Sequence, residues 1–242
     1  MEHFDTVLLG SGYTSVGYAA ARKSVLIVEE QEIADTHFYL PLRTFAYTPY
    51  TPKTEEGRKL DAIFRSLGLF EGDRQNVNGF ECALCRYLDE NPLPLLLKSR
   101  VVASDGSAGG YILTIATNEG LLRVCCRRVL DTRPRGTRSL SAIICPREDE
   151  DARLAAEKTG WELEAGFYPG QYALHIPDMG LDENTVKLAV HDALCGIHGI
   201  RLLAIAPAYA AKGGGAVLSD DDHDNPIAAF EAGYFLGKEN AQ

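Results

Sequence analysis

The first thirty residues place two short apolar runs on either side of a segment of small residues. The first run, at 7–9, leads into Gly10-Ser11-Gly12, and the second, at 25–28, ends on Glu29. Between them, the small-residue segment Ala19-Ala20-Ala21 contains no helix breaker. Short apolar runs bounded by turn residues predict buried strands, and the segment between them predicts a helix. The predicted order is strand, glycine turn, helix, strand and acid.

Apolar periodicity further along the chain predicts two helices and a run of strands. Apolar residues at i, i+3, i+4 and i+7 predict a helix over 54–67, with Thr54 as its cap. A second helix is predicted over 80–88, with Asn78 as its cap and Asn91-Pro92 as its end. Short strands are predicted at 95–97, 101–102, 111–117, 121–126 and 128–131, with a loop at 105–110 and a hairpin turn at 118–120.

The region 137–200 has a different pattern and is predicted to be a small separate unit. Strands are predicted at 140–145 and 172–176, and helices at 148–159 and 182–197. A strand at 202–206, a glycine turn at 213–215 and a helix opened by Asn225-Pro226 then return to the first unit. The predicted division is therefore 1–136 with 201–242, and 137–200.

The glycine turn has the chemistry of a dinucleotide site. Gly10 permits a tight turn, Gly12 lets a pyrophosphate approach the backbone, and the next helix offers free N–H groups. Glu29 stands where a carboxylate accepts hydrogen bonds from a ribose diol, and it disfavours a 2′-phosphate there. Ser15 stands where the G-x-G-x-x-G motif has its third glycine, which lets the helix pack closely on the strand. Gly17 is expected to relieve the same helix–strand contact. An ordinary βαβ crossover without a ligand is the alternative.

The whole order of elements resembles the glutathione-reductase-type FAD-dependent oxidoreductase family. The resemblance implies an α/β fold: a Rossmann-like FAD-binding domain with a parallel sheet and a β-meander, plus a small inserted α+β substrate region. The meander corresponds to 111–126, the returning strand to 128–131, and the closing helix starts at Asn225-Pro226. The chain departs from the family at 131–133, where Asp-Thr-Arg replaces an Ala-Thr-Gly turn.

The resemblance implies FAD as cofactor and assigns its contacts. Arg43 and Arg133 are each either a phosphate contact or a surface residue, and Asp220, Asp221, Asp222 and Asp224 compete to be the acid before the closing helix. The N-terminus of that helix is expected to face the pyrimidine edge of the flavin. The predicted cofactor-binding residues are Gly10, Ser11, Gly12, Tyr13, Thr14, Glu29, Glu30, Arg43, Val102, Thr132, Asp221, Asn225 and Ile227.

The predicted reaction is hydride transfer between a small organic substrate and flavin. Tyr172 and His175 lie on the strand that faces the flavin in the family, so both are candidate catalytic residues, with His175 as acid or base. A hydrogen-bonded sheet histidine is the favoured alternative for His175. Two other functions stay open: a non-catalytic nucleotide-binding or interaction subunit derived from this fold, and an NAD-dependent dehydrogenase.

The composition of the chain limits which binding partners are expected. A net charge of −10 disfavours nucleic acid and anionic membrane surfaces, and no apolar run approaches a membrane span. The first strand leaves no room for a signal peptide, so a cytoplasmic protein with reduced thiols is expected. Cys82 and Cys85 are expected to be core residues rather than a redox pair, and no metal site is expected. The short insert predicts that a second subunit, identical or different, covers the flavin face.

Overall fold

The computed structural model describes residues 1–35, 38–39, 45–107, 109–133, 137–177, 179–180, 182–210, 220 and 223–239. Its strands are β1 (Glu2–Leu9), β2 (Val25–Val28), β3 (Phe70–Glu71), β4 (Arg74–Gln75), β5 (Leu95–Leu96), β6 (Arg100–Ser107), β7 (Gly110–Thr117), β8 (Gly120–Asp131), β9 (Thr137–Pro146), β10 (Glu162–Ala165), β11 (Tyr172–Ile176) and β12 (Ile200–Ala210). Its helices are α1 (Tyr13–Ala20), α2 (Glu55–Ser66), α3 (Phe80–Glu90), α4 (Asp149–Thr159), α5 (Glu183–Cys195) and α6 (Pro226–Glu239).

The main sheet has the order β5-β2-β1-β8-β7-β6. Strands β5, β2, β1 and β8 run parallel, and β7 and β6 continue the sheet antiparallel. The predicted βαβ unit is confirmed, because β1 and β2 pair in parallel through α1. This mixed α/β arrangement places the carboxyl ends of β1, β2 and β8 at one edge, where ligands of open α/β sheets bind.

The predicted meander is present, but its strands differ from the prediction. The two strands predicted at 121–126 and 128–131 are one strand, β8, which pairs with β7 along its first half and with β1 from Glu2↔Val124 to Leu9↔Asp131. The break was predicted at Arg127, which is exposed on this continuous strand. Strand β6 continues to Ser107, so most of the loop predicted at 105–110 is strand. The hairpin turn between Thr117 and Gly120 is confirmed.

Helices α1 and α6 pack backbone to backbone through glycines. A Cβ atom on Gly17 would lie 1.9 Å from the Phe230 carbonyl oxygen, and one on Gly233 would lie 1.9 Å from the Thr14 carbonyl oxygen. Gly17 therefore contacts α6 and not the sheet, so its predicted role in helix–strand packing is wrong. The close approach makes the position of α6 part of the geometry at the start of α1.

Two helices complete the core beside α1 and α6. The side chain of Thr54 caps α2 by accepting the Gly57 N–H, as predicted. Asn78 does not cap α3, because a single 3₁₀ turn precedes that helix and Gly79 holds its cap position. Cys82 and Cys85 are exposed on α3, so their predicted burial is wrong. Partial desolvation and the charge of Glu81 raise the pKa of Cys85, which disfavours a reactive thiolate.

A second sheet has the order β10-β11-β9-β12, and all its pairs are antiparallel. Helices α4 and α5 cover one face, where Leu174, Ile176 and Val190 are buried together. On the other face Ile143 and Ala173 pack into the main core. Strand β12 pairs with β9 along its length, so residues 200–210 belong to the second sheet. Strand β10 was not predicted.

Across the described residues, no helix is both long and apolar enough to cross a membrane.

Candidate functional site

The turn between β1 and α1 is built as a tight bend. Gly10 has φ +111°, a conformation that favours glycine, and its N–H donates to the Val28 carbonyl at 2.9 Å. Gly12 follows in extended conformation at the cap position of α1. The bend therefore delivers the first N–H groups of α1 to the carboxyl edge of the sheet.

Those N–H groups donate to a carboxylate of the chain itself. The N–H of Tyr13 donates to Oδ2 of Asp220 at 2.8 Å, and the N–H of Thr14 donates to Oδ1 at 2.7 Å. The Thr14 hydroxyl also donates to Oδ1, and Asp220 is fully buried. A negative group is favourable here because the helix dipole and the free N–H groups point toward it. The position expected for a pyrophosphate thus holds the Asp220 carboxylate.

Glu29 lies beside the turn, where the motif predicts it. Its Oε2 accepts the Ser11 N–H and the Ser11 hydroxyl, each at 2.9 Å, and its Oε1 accepts the Gln31 N–H at 2.9 Å. The carboxylate is buried and ordered by three donors of the chain. A carboxylate oxygen has more than one lone pair and can accept more than one hydrogen bond.

One departure from the family pattern, Ser15, contacts Thr132, which matches the threonine of the family's Ala-Thr-Gly turn. The Ser15 hydroxyl, at the position of the third glycine, donates to Oγ1 of Thr132 at 2.8 Å. Thr132 in turn donates to the Leu9 carbonyl oxygen at 2.8 Å and is fully buried. Serine at this position is accommodated by a hydrogen bond that ties α1 to the end of β8.

Arg133 lies over the glycine turn and pairs with acids. Its guanidinium contacts Asp131 at 2.9 Å and Glu30 at 3.0 Å, and the first of these contacts raises its pKa. Its Cγ would lie 3.2 Å from a Cβ atom on Gly10. Glu30, predicted to contact the cofactor, is therefore paired with Arg133 at the surface. The sequence leaves two roles for Arg133, a phosphate contact or a surface residue. In the structure Arg133 forms a partly exposed ion pair.

A third carboxyl group near the turn was not predicted. Asp35 is fully buried with φ +63°; its Oδ1 accepts the Phe38 N–H at 3.0 Å, and its Oδ2 faces the Tyr13 hydroxyl at 3.4 Å. Burial, together with the charge of Asp220, raises the pKa of Asp35 well above its usual value. Nothing in the local pattern around 35 distinguishes it from a loop acid, and only the fold brings it here.

The start of α6 confirms one prediction and changes another. The Asn225 side chain caps the helix by accepting the N–H groups of Ile227 at 2.9 Å and Ala228 at 3.3 Å. Asn225 and Ile227 are both buried. The N–H groups expected to face a flavin are thus bonded to the cap residue.

Three further predicted cofactor contacts lie on β6 or outside the described residues. Val102 is exposed on β6 beside the pair Val101↔Ile115, which is level with Leu122 of β8. Val102 follows Ser99 by three residues, and the Ser99 N–H donates to the Glu29 carbonyl at 2.9 Å. The assignment of Val102 as a cofactor contact stays a prediction. Arg43 and Asp221 lie outside the described residues, as do Asp222 and the glycine turn at 213–215.

The two candidate catalytic residues lie on opposite faces of the second sheet. Tyr172 packs on the side of α4, where its hydroxyl donates to Asp149 at 2.7 Å. His175 has the opposite parity along β11 and faces the main unit. Side chains alternate along a strand, so both residues cannot face one ligand across this sheet. Tyr172 therefore lies on the face of the sheet turned away from the main unit.

Both ring nitrogens of His175 are bonded within the sheet. Nε2 lies 2.8 Å from Oε2 of Glu164, and Nδ1 lies 3.1 Å from the hydroxyl of Ser141. Glu164 also accepts the Ala46 N–H at 2.8 Å, which ties β10 to the main unit. This arrangement fits the favoured alternative, a hydrogen-bonded sheet histidine, better than an acid or base waiting for substrate.

Comparison with known proteins gives the fold a class. No protein-family model matches the chain, and no curated protein matches its sequence. Among solved structures, the chain is similar to p-nitrophenol 4-monooxygenase PnpA from Pseudomonas putida, with a TM-score of 0.54 and 14% identity over 100% of this chain and 79% of that one. A geranylgeranyl bacteriochlorophyll reductase-like protein from Thermoplasma acidophilum matches with a TM-score of 0.57 and 13% identity, over 100% of this chain and 79% of that one.

A third similar structure was solved with a flavin. The rebeccamycin biosynthetic enzyme RebC with reduced flavin matches with a TM-score of 0.52 and 14% identity, over 85% of this chain and 51% of that one. At these identities the similarity shows a shared fold. The chain has a Rossmann-like α/β fold, and the three similar structures are those of a monooxygenase, a reductase-like protein and an enzyme solved with reduced flavin. The narrower resemblance to the glutathione-reductase type is not specifically supported.

Proposed function

We propose that this protein is an FAD-dependent oxidoreductase that transfers a hydride between a small organic substrate and flavin. The observation that carries the proposal is the pair of N–H groups on Tyr13 and Thr14, which converge on one anion at the carboxyl edge of the sheet. In the similar structures this fold belongs to a monooxygenase, a reductase-like protein and an enzyme with reduced flavin.

The residues around the turn match the parts of a dinucleotide. The N–H groups of Tyr13 and Thr14 would hold a phosphate oxygen, and the bare backbone at Gly12 would let it approach. Glu29 would accept a ribose hydroxyl. These hydrogen-bond donors and acceptors are of the types that bind FAD. In the structure, however, the Asp220 carboxylate accepts the same N–H groups of Tyr13 and Thr14. FAD therefore fits only when that carboxylate leaves them.

The protein's own contribution is orientation and electrostatics. When bound, FAD supplies the hydride acceptor and donor. The chain would fix the diphosphate at α1, order Glu29 through Ser11 and Gln31, and hold the second sheet against the main unit through Glu164 and Ala46. A small organic substrate would enter from the side of the second sheet, and a second subunit would cover the flavin face. Sedimentation of the loaded protein tests the second subunit.

A non-catalytic subunit derived from this fold is the second candidate. Two observations favour it: Asp220 fills the anion position, and His175 has both ring nitrogens bonded within the sheet. In this reading the fold is kept as a scaffold, and its surface carries the function. An NAD-dependent dehydrogenase is less favoured, because the chain reaches β8 through a meander and not through further βα units.

Binding measurements on the whole chain distinguish the three. Under the proposal the protein binds FAD, with quenched flavin fluorescence and a shifted visible spectrum, and does not bind NAD. Gly12→Val should abolish this binding, while Gly196→Val, at the exposed end of α5, should leave it unchanged. Binding of NAD alone would favour the dehydrogenase, and binding of neither would favour the non-catalytic subunit.

A further inference from the structure

We propose that Asp220 is an internal anion that competes with phosphate for the N-terminus of α1. A diphosphate then binds only when the Asp220 carboxylate gives up the N–H groups of Tyr13 and Thr14. The inference rests on the proposed function only where the diphosphate is that of FAD. For inorganic pyrophosphate it stands on the geometry alone.

The competition follows from shared donors. Both carboxylate oxygens of Asp220 are used, Oδ2 by the Tyr13 N–H and Oδ1 by the Thr14 N–H, at 2.8 and 2.7 Å. The Thr14 hydroxyl adds a third bond to Oδ1. These are the groups that a helix N-terminus offers to a phosphate. A donor held this closely by one acceptor is not available to a second, so carboxylate and phosphate exclude each other.

The competitor is also held in place by the fold. Asp220 precedes α6, and α6 packs against α1 so tightly that Gly17 touches the backbone of Phe230. The residues just before α6 are also bonded to the main unit. Asp224 accepts the Thr48 N–H at 2.9 Å, and the Asn225 side chain donates to the Thr48 carbonyl at 3.0 Å. An anion tethered this close has a high effective concentration, which a free ligand must exceed to displace it.

The charge around the turn acts in the same direction. Glu29 accepts the Ser11 N–H two residues before Tyr13, and the guanidinium of Arg133 is engaged by Asp131 and Glu30. A phosphate entering this region meets carboxyl groups at short range, in surroundings where water screens charge weakly. Removing the Asp220 carboxylate frees the N–H groups of Tyr13 and Thr14 and also reduces the electrostatic repulsion of a phosphate.

The test compares three variants with the wild-type chain, using inorganic pyrophosphate and FAD separately. Asp220→Ala should bind pyrophosphate at least about tenfold more tightly than wild type by calorimetry, and Asp220→Asn should be intermediate. Asp192→Asn removes the same charge from an exposed position on α5 and should match wild type. Without ligand, Asp220→Ala should melt several degrees lower, and pyrophosphate should restore much of the loss.

Equal or weaker pyrophosphate binding by Asp220→Ala would overturn the inference, since Asp220 would then be either irrelevant to the ligand or a contact to it. If Asp220→Ala does not fold, Asp220→Asn makes the same comparison with an isosteric side chain. Tight pyrophosphate binding by the variant without FAD binding by any form would keep the inference and reject the proposed function. If wild type binds FAD and Asp220→Ala binds it equally or more weakly, the proposed function would stand and the inference would be rejected.

Discussion

The Asp220 carboxylate accepts the N–H of Thr14 at 2.7 Å although the two residues are 206 positions apart in the chain. The bond joins the first helix of the fold to the segment that precedes the last one. It satisfies a helix N-terminus that would otherwise need a ligand or water. The most informative sequence motif of the chain is therefore completed by a residue from its other end.

Replacing Gly17 by alanine should strongly destabilise the protein. The new Cβ atom would lie 1.9 Å from a backbone carbonyl oxygen of Phe230, and backbone cannot rotate away as a side chain can. We expect a loss of about 3 kcal/mol in the free energy of unfolding, measured by urea denaturation. Gly196→Ala is the control, because no described atom lies within 4 Å of the Cβ position there. A similar loss in both variants would contradict the close packing of α1 and α6.

Glu231 should be a buried acid that stabilises the start of α2. Its carboxylate accepts the N–H groups of Lys53 and Thr54, the Thr54 hydroxyl and the Tyr50 hydroxyl. We expect Glu231→Gln to lose about 2–3 kcal/mol at neutral pH, since it leaves buried donors with a poorer acceptor. Glu239→Gln, exposed on the same helix, should cost little.

The loss at Glu231 should depend on pH in a defined direction. Burial alone would raise the pKa of Glu231, but the bonds from Thr54 and Lys53 outweigh it and lower the pKa below 4.5. A lowered pKa contributes stability that is complete above the unfolded value and is lost as the pH falls through the folded one. The difference between wild type and Glu231→Gln should therefore shrink below about pH 4.5. A constant difference would contradict the assignment.

Asp35→Asn should stabilise the protein at neutral and alkaline pH. Burial raises the pKa of Asp35, and Asp220 adds to the effect, so ionising this group costs folding energy as the pH rises. Asparagine tolerates positive φ and keeps the oxygen that accepts the Phe38 N–H. We expect the variant to need more urea to unfold than wild type at pH 8, and this gain to disappear at pH 4. Asp73→Asn, in an exposed turn, should show no such trend.

The Glu164→Gln variant should show whether His175 has a structural or a catalytic role. The substitution weakens the bonds to His175 and to the Ala46 N–H, so unfolding should become easier by about 1–2 kcal/mol. Flavin binding should be unchanged, because His175 acts within the sheet. Glu162→Gln, exposed on the same strand, is the control. Loss of FAD binding without loss of stability would place His175 and Glu164 in the site after all.

Local patterns were sufficient for much of the fold. The βαβ unit, the cap at Thr54, the hairpin after Thr117 and the strand Tyr172–Ile176 follow from periodicity and turn chemistry within a few residues. The errors arise where one element serves two partners. Strand β8 continues through exposed arginines because it pairs with β7 first and β1 afterwards, and 200–210 joins the second sheet because β9 is available to pair with it.

The chain's order of residues was enough to define the glycine turn, the acid after β2 and the fold class, because each depends on neighbours in sequence. Only the tertiary structure selected Asp220 among the acids before α6, brought Asp35 beside it and turned Tyr172 away from His175. Those relationships depend on distances between elements far apart in the chain, which helix packing and strand pairing set and no local pattern encodes. The anion position at α1 could be foreseen, but the carboxylate that occupies it could not.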